Sequence, residues 1–545
     1  MAMTPADNGS RGADAPLPAL ISALREGACF DHPTDAVAVI ETHISWVLLT
    51  GDYAYKIKKP VILPFLDFST LKFRKHYCDE ELRINRRLAA ELYLDVVPIT
   101  GTPSAPRVNG VGSAFEYAVK MRQFPDADRL DRVADRGGLH EDHMRALAEK
   151  IAGFHGRVAV ADPKSPFADS EHLHGEVMEN FDSLGATAVP AEIPSMLEDL
   201  RRWSAHSLVE LGPRFRARKQ NGMVRECHGD MHLANMALLN DGVTIFDALE
   251  FNENFRWIDV QSELAFLAMD LDYRGFTSLG WLLLSTYLEA TGDYAGLRLL
   301  RHYEIYRAMV RAKVAGLRAG QCAAGTQEHD KAIHSLTSHV GLAHGYLQPR
   351  DPVPLVITHG LSGSGKSWLS ERLLTSLGAV RVRSDVERQR LAAAGKLQGD
   401  ALYSAAAISR TYDELANHAR TILTCGYPAI IDATFLKRDY RARFVALARE
   451  LGAPFAILSL DVPADVLEAR VAQRLAQATD ASQATVDVLR GQRAELEPLD
   501  GEERGYAIGL SGDAACDVEA LTRRLLRERG APLVRRLDAP AEDEH

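Results

Sequence analysis

An α+β domain followed by an α/β domain with a parallel sheet is the architecture the sequence predicts, and three observations predict it. The segment "LQPRDPVP", Leu347–Pro354, sets three prolines within eight residues, and no helix runs through such a stretch. Before it, strand-like alternation gives way to long helical periodicities. After it, apolar strands and amphipathic helices alternate strictly, the pattern of a parallel sheet covered on both faces.

Taken in order, "VAVIETHISWVLLTGDYAYKIKKPV" reads as successive strands around a Gly51/Asp52 turn, and "STLKFRKHYCDEELRINRRLAAELY" reads as a helix. The strand "EYAVKMRQFP" closes a small lobe at about residue 123. The chain is then mostly helical, apart from the hairpin "MALLNDGVTIFD", whose turn is Asn240/Asp241/Gly242. Beyond the joint come "PLVITHG", "SWLSERLLTSLG", "AVRVRSD", "PAIIDAT", "RDYRARFVALARELG", "PFAILSLDV" and "ADVLEARVAQRLAQ" in strand and helix turns. The expected divisions are a polar tail over 1–20, a first domain over 21–346, a linker over 347–354, a second domain over 355–530 and an acidic tail over 531–545.

A chain of 545 residues exceeds what one hydrophobic core usually serves. The net charge of -11 argues against a broad nucleic-acid or anionic-membrane surface and for small substrates. The six cysteines are scattered with no C-x-x-C pair, which suits a reducing cytoplasm. The first residues lack a basic head followed by an apolar core, so no secretory signal is expected. The most apolar window, Leu279–Leu288, is about half the ~20 residues a membrane span needs and reads as a buried helix.

Two groups of residues carry chemistry. In "CHGDMHLANM", Asp230 and Asn235 stand at the spacing by which kinase-type sites place a base for the acceptor hydroxyl and a magnesium ligand. The hairpin then delivers Asp247, in the order expected of a second magnesium ligand. Upstream, "AYK" puts Ala54 and Lys56 on one strand face, with Lys58 on the same face as an alternative lysine. Glu80 and Glu81 are the carboxylates available to orient that lysine, Glu81 being preferred, and Met121 lies where a hinge would meet adenine. His228 and His232 have the spacing of a helical zinc pair, but the H-E-x-x-H glutamate is missing. Asp259 and Glu263 are expected to secure the loop or a helix start.

On these residues the segment from about 36 to 345 resembles the aminoglycoside phosphotransferase group of kinase-fold enzymes. The resemblance implies a bilobal protein-kinase-like fold, Asp230 as catalytic base, Asn235 and Asp247 as metal ligands, and Lys56 on the phosphates of ATP. One departure stands out: "ETHIS", Glu41 to Ser45, where the ATP-covering loop would lie, contains no glycine.

The second group is "GLSGSGKS", which satisfies G-x-x-x-x-G-K-[ST] between an apolar strand and a helix. Gly360, Gly363 and Gly365, with Ser362 and Ser364 between them, let backbone N–H groups converge on phosphate oxygens. Lys366 is placed for the β and γ phosphates and Ser367 for magnesium. Arg383 and Asp385 follow the second strand at the edge where ligands gather; Asp385 suits an acceptor base, with an N-cap as the alternative, and capping would not exclude catalysis. Asp432 ends another strand and suits either the magnesium shell or a turn cap. Arg470 and Arg474 lie four apart on one helix, as a lid over the transferring phosphoryl group or as surface partners of Glu468.

Residues from about 354 to 500 resemble the P-loop kinases that include polynucleotide 5'-hydroxyl kinases, gluconate-type kinases and zeta-toxin-like phosphotransferases, with "TDASQAT", holding Asp480 and Ser482, among the matches. The tandem resembles a bacterial group described as bifunctional aminoglycoside phosphotransferase and ATP-binding proteins. It implies ATP and magnesium as cofactors and small-molecule hydroxyls as acceptors. Two rival readings stand beside it: a nucleotide-gated regulator whose first half is a degenerate binding module, and nucleic-acid end phosphorylation by the second half.

Overall fold

The computed structural model of the protein describes residues 18–63, 66–185, 189–239, 242–348, 352–396, 404–477, 485–511 and 516–527. The expected tails, 1–20 and 531–545, fall almost wholly outside these residues, as do the turn residues Asn240 and Asp241. The chain divides into two compact units, one of Met1–Gly275 with Leu299–Leu347, the other of Phe276–Arg298 with Gln348–His545.

The first unit has two lobes, one built on strands and one on helices. Its small lobe is an antiparallel six-stranded sheet whose spatial order is Ala38–Glu41, Ser45–Leu49, Tyr53–Lys58, Glu116–Arg122, Tyr93–Thr102, Ala105–Val108. Period-two alternation explains the layering, because Trp46, Leu48, Tyr55, Ile57, Val97 and Ile99 bury one face. The helix Leu71–Ala89 covers the other face. Thr70 caps it by accepting the N–H of Phe73 at 3.2 Å. Its buried positions, Arg74, Cys78, Glu81, Asn85 and Leu88, recur at four and three residues, one helical stripe. Of its polar members, Arg74 pairs with Glu116 at 2.8 Å, while Glu81 and Asn85 are used by the site below.

The large lobe is built on long helices, among them Glu141–Arg157, Ile193–Gln220, Val260–Tyr273, Leu297–Gln321 and Gln327–Gly345. Besides the expected hairpin, Met236–Leu239 with Gly242–Ile245, it holds a second antiparallel pair, Val224–Glu226 with Trp257–Asp259. That pair frames the segment carrying Asp230.

The second unit has a five-stranded parallel sheet in the order Val380–Arg383, Ala429–Asp432, Leu355–His359, Phe455–Asp461, Ala507–Ser511. Every residue of its central strand Leu355–His359 is buried, as expected where helices cover both faces. The unit also takes in the helix Thr277–Thr291, from the apolar window read above as buried. This helix lies beside the edge strand: Arg381 N donates to Ser285 Oγ at 3.0 Å, and Glu289 pairs with Arg381 at 3.4 Å and Arg383 at 3.1 Å. Among the described residues no helix is long and apolar enough to cross a membrane.

Candidate active sites

The first site is organised by a segment whose backbone has almost no freedom. Gly229 has φ +90°, and a Cβ there would lie 2.5 Å from the Phe255 carbonyl oxygen. Glu263 accepts the N–H groups of His228 and Gly229 at 2.8 and 2.7 Å, while its other oxygen meets His155 Nε2 at 2.9 Å. Asp270 accepts the N–H of Leu233 at 2.9 Å. His228 Nδ1 accepts from Asp230 N, so its Nε2–H donates to the Phe246 carbonyl at 2.8 Å. Burial holds this imidazole below its ordinary pKa, which keeps it a neutral strut.

On this frame Asn235 Nδ2 donates to the Asp230 carboxylate and to its carbonyl, both at 3.0 Å. His232 Nε2 lies 3.3 Å from the same carboxylate oxygen. The hairpin returns through Phe246, whose N–H donates to the Asn235 carbonyl, and Asp247 adopts φ 64°, a left-handed conformation uncommon outside glycine. Two hydrogen bonds hold it there: Asp247 N to Tyr93 Oη at 3.2 Å and Ala248 N to Asn85 Oδ1 at 2.8 Å.

Lys56 Nζ reaches Asp247 at 2.7 Å and Glu81 at 2.8 Å. The alternative lysine, Lys58, is fully buried between the other Glu81 oxygen at 2.7 Å and Glu250. Glu80 instead pairs with Arg83 at 2.8 Å. Burial opposes the charge on Glu81, but the two lysines overcome it and hold its carboxyl well below the usual range. Burial keeps Glu250 above that range. Two lysines thus share three carboxylates, a donor set that fits an added cation at Asp247, the least buried of the three. Lys56, Met121, Asp230, Asn235 and Asp247 all line one cavity of about 1340 Å³. Its apolar end includes Ala54, Leu92, Met121 and Phe124, suited to a flat ring.

The "ETHIS" turn is closed by its own side chain. Thr42 Oγ1 accepts the N–H of Ser45 at 2.9 Å and of Ile44 at 3.3 Å, so those donors are already used.

The second site surrounds the glycine loop. Gly360, Gly363 and Gly365 have φ of +146°, +86° and +94°, and a Cβ on Gly360 would sit 2.7 Å from the Leu460 carbonyl oxygen. Lys366 opens the helix Lys366–Leu377 and its Nζ donates back across the loop to the Leu361 carbonyl at 2.8 Å. The buried Ser364 hydroxyl has no hydrogen-bond partner among the described residues. A cradle that side chains would fill, with an unsatisfied hydroxyl inside it, fits a phosphate. Asp432 is buried at the end of its strand and accepts from Ser370 Oγ at 3.1 Å; Ser367 lies on the same helix as Ser370. Arg470 Nη1 stands 3.5 Å from the Gly363 carbonyl oxygen, over the loop. The side chain of Arg474 lies outside the described residues, as do Asp480 and Ser482.

Other predicted residues have partners of their own. Arg383 pairs with Glu289, and Asp385 pairs with Arg388 at 2.9 Å. The N-cap of that helix is Arg383, so Asp385 sits in the first turn rather than at the cap. Sequence reasoning missed Gln492, whose Oε1 accepts the Ser362 N–H at 3.0 Å, and His359, which precedes the loop. It also missed Glu250, Asn85 and Tyr93.

Three buried histidines, His302 and His339 in the first unit and His359 in the second, have pKa values pushed down to about 4, chiefly by burial. They are neutral in the folded chain, whereas unfolded histidine binds a proton near pH 6.5. Stability is therefore full above that pH and falls as pH drops toward 4, by up to about 1.4 kcal/mol per pH unit for each histidine. Melting temperatures measured between pH 7 and 5 should fall accordingly; a flat profile contradicts this.

The model of the AAA domain family matches residues 355–499. Over 507 residues the chain is 30% identical to uncharacterized protein Rv2004c of Mycobacterium tuberculosis, a match covering 90% of this chain and 96% of that protein. Among solved structures it is similar to a choline/ethanolamine kinase family protein from Mesorhizobium loti, at 13% identity and TM-score 0.35, covering 60% of this chain and 99% of that one. It is also similar to a sugar kinase from Janibacter, at 23% identity and TM-score 0.25, covering 34% of this chain and 100% of that one.

Proposed function

We propose that this chain, which belongs to the family of the Mycobacterium tuberculosis protein Rv2004c, is an ATP- and magnesium-dependent phosphotransferase with two separate sites acting on hydroxyls of small molecules. The observation that carries the reading is the first cavity, lined by the Asp230–Asn235 pair and by Lys56 with Asp247, while the buried Glu81 holds Lys56 from behind. Magnesium, when bound, supplies charge neutralisation; Asn235 and Asp247 would hold it in the first unit, Ser367 and Asp432 in the second.

In the first unit Lys56, oriented by Glu81, is available to the phosphates, and Met121 borders the adenine space. Asp230 takes the proton of the acceptor hydroxyl as its oxygen bonds to the γ-phosphorus and the bridge bond to ADP breaks. Asn235 and the Glu263-anchored backbone keep that carboxylate in place. In the second unit Lys366 and Arg470 balance charge on the phosphates, and Asp385 is the acceptor base, with Arg383 beside it. The six cysteines are free thiols, which supports a reducing cytoplasm.

ATP loss tested with and without added hydroxyl compounds distinguishes this reading from its rival. A phosphotransferase requires an acceptor for rapid turnover. Acceptor-independent turnover would favour the nucleotide-gated regulator, for which the self-closed Thr42 turn is the one supporting observation.

A further inference from the structure

We infer that the acceptor of the first unit carries an anionic group, a carboxylate or a phosphate ester, recognised by Arg311; this rests on the phosphotransferase reading of that unit. The helix Leu297–Gln321 presents Arg307, Arg311 and Arg318 to the cavity, at intervals of four and seven residues, on one face. Three arginines on a wall could be offset by nearby carboxylates, but several of those lining the cavity pair with other cations. Asp270 pairs with Arg274 at 3.3 Å, Asp131 with Arg129 at 2.6 Å and Glu179 with Lys313 at 2.6 Å. Glu176 lies 3.3 Å from His172 and accepts from Tyr306 Oη at 3.5 Å, and burial holds its carboxyl above its usual range.

The arginines differ in what they do. Arg307 is buried and spent on Ser262 and on the Gly229 carbonyl, bracing the catalytic segment. Arg311 and Arg318 make no hydrogen bond or ion pair among the described residues. Arg311 is half-buried and close enough to act electrostatically on Asp230 and Asp270. A partly desolvated guanidinium without a paired anion is an incomplete arrangement, and its planar fork matches carboxylate and phosphate. A second observation points the same way: Asn180, 3% exposed, lines this cavity with its Nδ2 donor unpartnered. An acceptor whose hydroxyl meets Asp230 and whose anion meets Arg311, with Asn180 as a further donor, completes all three groups.

The test uses the full chain carrying Lys366→Ala, which silences the second unit, with γ-labelled ATP. Acceptors are matched in neutral, carboxylate and phosphate forms: glucose, gluconate and glucose 6-phosphate; glycerol, glycerate and glycerol 3-phosphate; choline is added as a cation. Transfer to an anionic form should exceed that to its neutral partner by about tenfold or more in kcat/KM. Arg311→Gln should remove the preference by raising KM about ten- to a hundredfold, and Arg311→Lys should restore part of it. The carboxylate and phosphate arms identify which anion is read. Equal use of neutral or cationic acceptors overturns the inference, as does an Arg311→Gln loss in kcat that is the same for every acceptor. Thermal stabilisation by the same compounds separates binding from chemistry. Anion-selective stabilisation that Arg311→Gln abolishes, without transfer, keeps the binding site and sinks the phosphotransferase reading; neither transfer nor stabilisation sinks both.

Discussion

Asp230→Asn should lower phosphoryl transfer by the first unit on the order of 10²–10⁴-fold, the usual contribution of a positioned general base. The substitution keeps the shape of the side chain and an oxygen to accept from Asn235 Nδ2, which lies 3.0 Å from the carboxylate. The surrounding segment is held by Glu263, Asp270 and the left-handed Gly229, none of which depends on the Asp230 charge. Rate and fold should therefore separate, with turnover lost and the melting temperature nearly unchanged. A variant that retains most of its transfer to the same acceptor would show that the proton goes elsewhere.

Glu289→Ala should destabilise the second unit strongly. Glu289 comes from residues 276–298, far in sequence from the glycine loop, yet its carboxylate joins Arg381 and Arg383 on the edge strand. The side chain of Arg381 is 7% exposed, and after the substitution its remaining ionic partner is Glu371 at 3.3 Å. Removing one partner of a buried ion pair costs about 3–5 kcal/mol; with Glu371 retained we expect roughly 2–3. Glu289→Gln, which keeps an acceptor, should cost less. Hydrogen exchange over Val380–Arg383 should accelerate in the alanine variant before it does in the first unit. Unchanged protection there would mean that the helix Thr277–Thr291 lies beside the strand without supporting it.

Local patterns made much of this readable. Period-two alternation marks the strand with Lys56, and the G-x-x-x-x-G-K-[ST] loop announces its own geometry because three of its positions require glycine-like freedom. The order of Asp230, Asn235 and Asp247 is legible because one hairpin links them. What stayed hidden depends on contacts across long separations. Glu250 is 192 residues from Lys58, and Gln492 is 130 from Ser362. No periodicity joins such pairs. The helix Thr277–Thr291 reads correctly as buried, but apolarity does not say which unit it joins; Ser285 and Glu289 do so through Arg381. The pair Val224–Glu226 with Trp257–Asp259 was missed because three-residue strands are too short to show alternation.

The central claim is that the chain holds two independent phosphoryl-transfer sites. Its most direct test is transfer from γ-labelled ATP to a library of hydroxyl metabolites, run on the parent chain, on Asp230→Asn and on Lys366→Ala. Two sites predict that each substitution removes a different labelled product and leaves the other intact. Loss of one shared product by both substitutions, or no transfer by the parent to any hydroxyl compound, would contradict it.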